Sequence, residues 1–247
     1  MRKLFFIVTL FGATTICAQS IYVVSVGICD YEDPQVNDLR FSEADVASFN
    51  KVMKTHTNEV YTLLGPVATH SNVYGYVSQV FENASDNDVV ILFFSGHGYP
   101  DGFCCYDMSQ NDGGLSYDEI AILFKQCKAK RKMVFADACF SGGLRKEKKS
   151  NDATLSVRKG DVMFFLSSRT NETSQEMMGG PNGQFTRFLV RGLGGGADKD
   201  RDRIVTAKEL YDFVHEGVTI ATAGRQHPVM WGHFNNTMTV INWNKKK

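Results

Sequence analysis

The sequence predicts an α/β protein in which helices cover both faces of a largely parallel sheet, giving a three-layer α/β/α sandwich. Two observations predict this fold class. After Asp88 and Lys132, residues 89–94 and 133–136 are continuous apolar runs of strand length, which is typical of strands buried on both faces of a parallel sheet. Along the rest of the chain, segments with strand character alternate with segments of helical periodicity. Neither an internal repeat nor a second core is evident in the pattern.

The chain opens with the pattern of an export signal. Basic residues at positions 2 and 3 precede the mostly apolar residues 4–16, and cleavage is expected after Ala18. The apolar stretch is too short for a membrane-spanning helix. A lipoprotein interpretation of Cys17 is the weaker one, because the bulky Ile16 stands where a small residue is expected.

We therefore expect a signal peptide at residues 1–18, a single domain at residues 19–247, and export to the periplasm or the extracellular space. A domain of that length can bury a substantial core. No later segment is long enough to cross a membrane. Lys+Arg and Asp+Glu each number 27, so the charge balance gives no indication of nucleic-acid or membrane binding. The oligomeric state is left open.

The individual elements follow from local patterns. The first helix is expected to begin with Ser42 as its N-cap, and two later helices open with capping boxes, Ser116 with Glu119 and Thr206 with Glu209. The expected strands are residues 20–28, 59–64, the segment beginning at 88, the segment beginning at 132, 161–167 and one within 228–243. The expected helices are residues 42–54, 72–82, 116–127, 184–193 and one beginning at 206.

Two of the buried strands end in residues that can carry out chemistry. The first ends with His97 between two glycines, and the second ends with Cys139 followed by small residues. Because the carboxyl ends of parallel strands meet at one edge of a sheet, a base and a thiol delivered there form a candidate Cys-His dyad. Taken alone, His97 could be a turn histidine and Cys139 a buried thiol.

The remaining cysteines leave several pairings open. After removal of Cys17 the number of cysteines is odd, so one thiol must stay free or pair between chains. Export makes disulfides possible among the others. Adjacent Cys104 and Cys105 could equally be two buried apolar residues. The cysteines of the expected domain are Cys29, Cys104, Cys105, Cys127 and Cys139.

An acidic segment at residues 198–209 has the spacing of an EF-hand calcium loop. Asp198, Asp200 and Asp202 stand at the first ligand positions, but Arg203 replaces the usual glycine. Glu209 is also explained by its capping box. A solvated acidic turn is therefore the preferred interpretation, and no metal or cofactor is predicted.

At this point the two strand ends resemble a known family. Residues 95–98, Ser-Gly-His-Gly, and residues 137–142, Asp-Ala-Cys-Phe-Ser-Gly, are similar to the motifs of the caspase and metacaspase cysteine peptidases. Residues 26–31, 183–186 and 226–228 agree with further landmarks of the family. The resemblance extends over about residues 21–232 and implies a largely parallel six-stranded sheet. It is closer to bacterial caspase-like proteins and metacaspases than to animal caspases.

The resemblance implies roles for several residues. Backbone N–H groups of Gly98 and Cys139 would form an oxyanion hole. Asp137 lies two residues before Cys139, so in a strand both side chains should point to one face, and a carboxylate there would receive a basic substrate. In the metacaspases this Asp and an Asp of the first helix, here Asp45, hold the residue preceding the cleaved bond, the P1 residue. Ser95 lies where the family lines that pocket. Alternatively, Asp45 could belong to a capping box opened by Ser42.

The sequence thus predicts a secreted cysteine endopeptidase that cleaves protein or peptide substrates after Arg or Lys. The basic residues 145–159 are expected to be a surface loop and a site of self-processing. Residues 144–149 depart from the acidic pattern that accompanies calcium activation in many metacaspases. The main alternative is a catalytically silent caspase-like module that binds a protein partner. A nucleotide-binding domain has only the glycine-rich residues 192–196 in its favour, and these follow a helix rather than a strand.

Overall fold

A computed structural model of the chain describes residues 19–109, 114–139, 161–168 and 182–244, with the backbone alone of Cys139. The expected signal peptide and the basic stretch 145–159 lie outside these ranges. The strands are Ile21–Gly27 (β1), Val60–Leu64 (β2), Val89–Tyr99 (β3), Gly102–Cys104 (β4), Gly114–Ser116 (β5), Arg131–Cys139 (β6), Asp161–Leu166 (β7), Ile204–Thr206 (β8), Val229–His233 (β9) and Thr239–Asn242 (β10). The α-helices are Ser42–Met53 (α1), His70–Glu82 (α2), Tyr117–Gln126 (α3), Gln184–Arg191 (α4) and Ala207–Ala221 (α5).

The main sheet has the strand order β2-β1-β3-β6-β7-β9. The first five strands in this order are mutually parallel, and β9 pairs antiparallel with β7 at one edge. The prediction of a largely parallel six-stranded sheet is therefore confirmed. Beyond the main order, β4 and β5 form antiparallel pairs that extend from the end of β3.

Helices cover both faces of the sheet because alternate residues of each buried strand pack in opposite directions. On β3, Leu92 and Phe94 belong to the cluster that packs against α2 and α3. Phe93 belongs to the opposite cluster, with α1, α4 and α5. Its ring stacks on Phe49 of α1, with the centroids 4.2 Å apart. The three-layer arrangement predicted from the sequence is thus confirmed.

The predicted N-terminal caps agree with the structure in two helices and differ in one, and α2 begins at His70 rather than at residue 72. Capping boxes are present at Ser116 and at Thr206, as predicted. The prediction of Ser42 as N-cap is wrong, because α1 begins after Phe41 and no side chain caps it. Ser42 is the first helical residue and is buried. Asp45 therefore takes no part in a capping box, and its carboxylate makes contacts at the sheet edge instead.

The end of the chain contains more strand than the sequence predicted. In place of one strand within residues 228–243, the structure has β9 in the main sheet and β10 in a separate antiparallel pair with β8. The sequence also does not predict the short strands β4, β5 and β8. Each has three residues, too few for an alternation of apolar and polar side chains to be recognised. Within the part of the chain that the structure describes, no helix has the length and apolar character needed to cross a membrane.

Candidate active site

The register of two neighbouring strands brings the predicted dyad together. In the parallel pairing of β3 with β6, His97 is opposite Cys139 and Ser95 is opposite Asp137. Adjacent strands lie about 4.8 Å apart. Residues of the dyad and of the predicted pocket therefore meet at the carboxyl edge of the sheet, where parallel α/β proteins place their sites. Gly98 follows His97 and is paired with Phe103 of β4.

His97 is held by two partners from the segment between β1 and α1. Its Nε2 lies 2.7 Å from the carbonyl oxygen of Asn37. Since a carbonyl only accepts hydrogen bonds, Nε2 carries the ring proton and Nδ1 carries the lone pair. The backbone N–H of His97 donates to the hydroxyl of Tyr31 at 2.7 Å. The neutral imidazole is therefore in the tautomer whose Nδ1 can act as a base.

Two buried carboxylates lie on the α1 side of the same strand ends. Asp45 is 2% exposed and Asp137 is 7% exposed. Ser95 Oγ donates to Asp45 Oδ2 at 2.9 Å, so two residues of the predicted pocket, one on β3 and one on α1, are in direct contact. On the other side, Thr186 of α4 donates to Asp137 Oδ2 from its backbone N–H at 3.0 Å and from its hydroxyl at 2.9 Å.

Gly183, at the start of α4, lies beside both carboxylates. Its N–H donates to Asp45 Oδ1 at 3.0 Å. A Cβ atom built on Gly183 would come within 2.4 Å of Asp137 Oδ2 and 3.4 Å of Asp45 Oδ2. A side chain at this position would therefore collide with the acidic pair. The absence of a side chain at position 183 allows the backbone to approach the carboxylates closely.

The surroundings of Asp45 disfavour its charge. Burial raises the pKa of this carboxyl well above its ordinary value, and the negative charge of Asp137 raises it further. Hydrogen bonds from Asn182, Ser95 and Gly183 act in the opposite direction. These donors are all neutral, so they relieve only part of the cost of burying two neighbouring carboxylates.

The strand end that carries Cys139 is fixed by a buried hydroxyl. Ser167, directly after β7, is fully buried, and its Oγ accepts from the N–H of Ala138 at 3.1 Å. The same hydroxyl donates to the carbonyl oxygen of Ala138 at 2.9 Å. Gln226 Nε2 in turn donates to the carbonyl oxygen of Ser167 at 2.9 Å. The backbone next to Cys139 is therefore tied to two other parts of the chain.

Three of the other cysteines are poor candidates for a nucleophile. Cys29, Cys105 and Cys127 are thiols rather than disulfides, and burial is the main cause that raises the pKa of each. A raised pKa lowers the thiolate fraction at neutral pH, and the thiolate is the reactive form.

Among the described residues, the group that could hold a metal ion is the acidic turn. Carboxylate oxygens of Asp198, Asp200 and Asp202 lie within 4.8 Å of one another. Asp198 Oδ2 accepts from the N–H of Arg203, whose φ of 69° is the left-handed conformation usually left to glycine. Glu209 forms the capping box with Thr206, as the sequence predicted. Asp200 and Asp202 are solvent-exposed, which fits an acidic turn.

The sequence singles out His97, Cys139 and the two carboxylates but does not indicate the residues that contact them. Gly183 and Thr186 stand out in the sequence only as part of a family landmark. Nothing local to Tyr31 or Asn37 indicated a contact with His97. Asn182, which donates to Asp45 Oδ1 at 3.0 Å, was not singled out. Its position before the Gly183 motif is the one signal that could have drawn attention to it.

Comparison with known proteins agrees with this geometry. A family model for the caspase domain (peptidase family C14) matches residues 22–238. A search of curated proteins found no match. Among solved structures, caspase-1 from Spodoptera frugiperda aligns with a TM-score of 0.68 and 14% sequence identity, covering 93% of this chain and 91% of that chain. A structural-genomics protein from Geobacter sulfurreducens aligns with a TM-score of 0.65 and 19% identity, covering 91% of this chain and 98% of that chain.

At these identities the two structures show the shared fold alone. The family model, however, matches residues 22–238, which is most of the chain, and a caspase domain agrees with the observed fold. The chain therefore belongs to the caspase-domain family of cysteine peptidases.

Proposed function

We propose that this protein is a cysteine endopeptidase that hydrolyses protein and peptide substrates after Arg or Lys, with Cys139 as nucleophile and His97 as general base. The observation that carries the proposal is the pairing of His97 with Cys139 across β3 and β6, with Nε2 of His97 already bonded to Asn37. That bond leaves Nδ1 as the nitrogen that can accept a proton.

The reaction then follows ordinary thiol-peptidase chemistry. His97 Nδ1 takes the thiol proton, and the thiolate of Cys139 attacks the carbonyl carbon of the cleaved bond. Backbone N–H groups of Gly98 and Cys139 would stabilise the oxyanion. The imidazolium gives its proton to the leaving amine, and water then hydrolyses the thioester, with His97 again acting as base.

Specificity for a basic P1 residue is supported by the acidic pair. Asp45 and Asp137 are both buried, and the described hydrogen-bond partners of Asp45 are neutral. A guanidinium or ammonium group entering between them would compensate negative charge that the neutral hydrogen-bond partners of Asp45 do not compensate. Arg can bind two carboxylates through its planar fork, so a modest preference for Arg over Lys is expected.

The test is a library of fluorogenic peptides that differ only at P1, assayed with the purified protein and its variants. Cys139→Ala should abolish turnover, and His97→Ala should lower kcat by at least ~10²-fold. Asp137→Ala should lower kcat/KM for basic substrates by at least ~30-fold, because one partner of a buried charge pair is lost. The alkylation rate of Cys139 should change little in Asp137→Ala.

Different outcomes separate the parts of the proposal. A preference for Asp at P1 would contradict the pocket assignment and leave the dyad intact. Full activity of Cys139→Ala would exclude Cys139 as the nucleophile. If the folded protein cleaved no member of the library, and Cys139 reacted with iodoacetamide like an ordinary thiol, the chain would be a catalytically silent interaction module.

Export after cleavage near Ala18 and self-processing within residues 145–159 belong to the same proposal. Both rest on sequence: a basic and apolar start for the first, and six Lys or Arg residues for the second. N-terminal sequencing of the mature protein from its native host tests the first. An N-terminus upstream of Gln19 on the exported protein would contradict the cleavage site.

A further inference from the structure

Tyr31 makes two contacts with His97, and both come from a buried position. The phenol lies in the segment between β1 and α1 and is 8% exposed. Its hydroxyl oxygen accepts the backbone N–H of His97 at 2.7 Å. Its ring centroid lies 5.2 Å from that of the imidazole, with the two planes inclined by 37°. One side chain therefore contacts both the backbone and the ring of His97.

The hydroxyl of Tyr31 replaces a backbone acceptor that the sheet no longer supplies. The described pairing of β1 with β3 ends at Gly27 and Ser95, and the N–H of Ile28 still donates to the carbonyl of Ser95 at 3.1 Å. In a continuing parallel ladder, the N–H of His97 would next donate to the carbonyl of residue 28. It donates to Tyr31 instead, at the position where β3 outruns β1.

Gly96 makes this contact possible. A Cβ atom at position 96 would lie 2.9 Å from the hydroxyl oxygen of Tyr31 and 2.9 Å from the ring of Phe94. Gly96 lies within β3, and its lack of a side chain allows the phenol to reach the backbone of His97.

Tyr31 and Asn37 act on His97 in different ways. Asn37 accepts the ring proton at Nε2 and so fixes the rotation of the imidazole. Tyr31 fixes the backbone from which the imidazole extends. Burial also keeps the pKa of Tyr31 well above its ordinary value, so the phenol stays neutral and does not compete with His97 as a base.

From these contacts we propose that Tyr31 is a positioning residue. Its hydroxyl accepts the backbone N–H of His97, which has no β1 carbonyl to pair with, and so keeps His97 opposite Cys139 in the register of β3 and β6. The inference rests on the proposed peptidase function and adds a residue to it. Displacing a catalytic base by about 1 Å can cost on the order of 10²-fold in rate. Loss of the acceptor should therefore affect the chemical step more than substrate binding.

The decisive variant is Tyr31→Phe, which keeps the ring and removes the acceptor. With the best P1 Arg substrate we expect kcat to fall by roughly 10- to 100-fold and KM to stay within about twofold. The pH profile of Cys139 alkylation by iodoacetamide should shift towards that of an isolated thiol, because the imidazole no longer meets the thiol in its proper place. Partial unfolding would also expose buried thiols such as Cys105 and Cys127, so the number of alkylated cysteines per chain distinguishes unfolding from a displaced imidazole.

Tyr117→Phe is the matched control. It also removes one phenol hydroxyl, from a partly buried tyrosine that packs against the same apolar cluster, and the described ring contacts of Tyr117 are with Phe103, Phe164 and Trp231. We expect kcat and the alkylation profile of this control to match the wild type. Thermal unfolding of both variants is the measurement that tests whether each is folded at the assay temperature.

The outcomes distinguish this inference from the proposed function. An active wild type with an unchanged kcat and alkylation profile in Tyr31→Phe would overturn the role of Tyr31 alone. A rise in KM with kcat unchanged would also overturn it. If Tyr31→Phe did not fold, 3-fluorotyrosine at position 31 keeps the hydroxyl as a weaker acceptor and should give a smaller change in the same direction. A wild type without hydrolysis and with an ordinary thiol at Cys139 would overturn the peptidase function and this inference together.

Discussion

At the scale of single residues, Asp45 shows that burying one carboxyl group beside another disfavours its ionised form. The folded protein buries this carboxyl beside Asp137, so its pKa is well above the ordinary value of 3.8. Ser95, Asn182 and Gly183 supply neutral hydrogen bonds that hold the group in place. A proton and a basic P1 side chain would therefore compete for the same site, and substrate binding should weaken as the pH falls through the raised pKa of Asp45.

The same shift predicts how stability depends on pH. A group whose pKa is raised by folding binds protons more tightly in the folded state, so stability decreases as the pH rises from the unfolded value of about 3.9 to the raised folded value. Asp45→Asn removes this dependence and keeps a similar shape. We expect the melting temperature of Asp45→Asn to rise relative to wild type as the pH increases from about 4, in the absence of substrate.

The control is Asp212→Asn, which removes a carboxylate that forms an exposed ion pair with Lys208 at 2.8 Å. This variant reports the effect of losing one surface charge. If the difference in melting temperature between the wild type and Asp45→Asn stayed constant from pH 4 to pH 8, the assigned environment of Asp45 would be contradicted.

At the scale of elements, α3 illustrates how a local motif and a buried face define a helix together. Ser116 Oγ accepts from the N–H of Glu119 at 3.2 Å, and Glu119 Oε2 accepts from the N–H of Ser116 at 2.8 Å. The helix then buries Ile120, Leu123 and Phe124 against the sheet. Its cluster lies on the face opposite to Asp45 and α1, so α3 supports the sheet without contributing to the candidate site.

Removal of the cap should therefore change stability and leave activity intact. Ser116→Ala is expected to cost about 1 kcal/mol, because the backbone N–H of Glu119 loses its side-chain acceptor. For a domain of this size that corresponds to a decrease of about 2–4 °C in melting temperature. Thermal unfolding measures the decrease, and kcat should stay within twofold of wild type.

Asp118→Ala is the companion control, since Asp118 is exposed in the same turn and is not part of the capping box. Its effect should be less than half that of Ser116→Ala. Equal losses in both variants would show that charge near the helix start, rather than the capping box, accounts for the stabilisation.

At the scale of the whole molecule, both faces of the sheet contribute to the candidate site. One face packs against α2 and α3 and includes Tyr31, and the other packs against α1, which carries Asp45, and against α4 and α5. Strands β6 and β7 are parallel neighbours, so the chain leaves β6 at the candidate site and enters β7 at the opposite edge. A cut between these strands would sever the chain without separating elements that the sheet holds together.

This topology predicts the outcome of self-processing. The wild-type protein is expected to cleave itself after a basic residue within 145–159, and Cys139→Ala should stay intact. Because β6 and β7 remain paired, the two fragments should stay associated under native conditions and separate only in denaturant. Intact-mass measurement identifies the cut, and size-exclusion chromatography tests the association.

An active wild type that remains a single chain would remove self-processing from the proposal without affecting the peptidase assignment. Cleavage that also occurs in Cys139→Ala would point to a contaminating peptidase. The matched comparison therefore requires both proteins to be purified in the same way and incubated separately, in parallel, under the same conditions.

The sequence alone determined the features that depend on neighbouring residues. Solid apolar runs indicated β3 and β6 as buried strands, and the capping boxes marked the starts of α3 and α5. The motifs around His97 and Cys139 indicated the chemistry at the strand ends. These signals are local because periodicity, capping and strand composition are set within a few residues.

Only the tertiary structure decided which distant groups share the site. The sequence left open whether Asp45 belongs to a capping box, and its bonds to Ser95 and Gly183, 50 and 138 positions away, show its carboxylate at the sheet edge instead. Tyr31 reaches His97 across 66 positions because β3 extends beyond β1. Such contacts follow from strand register and from where each strand ends, and neither is encoded by residues close to the contact in the chain.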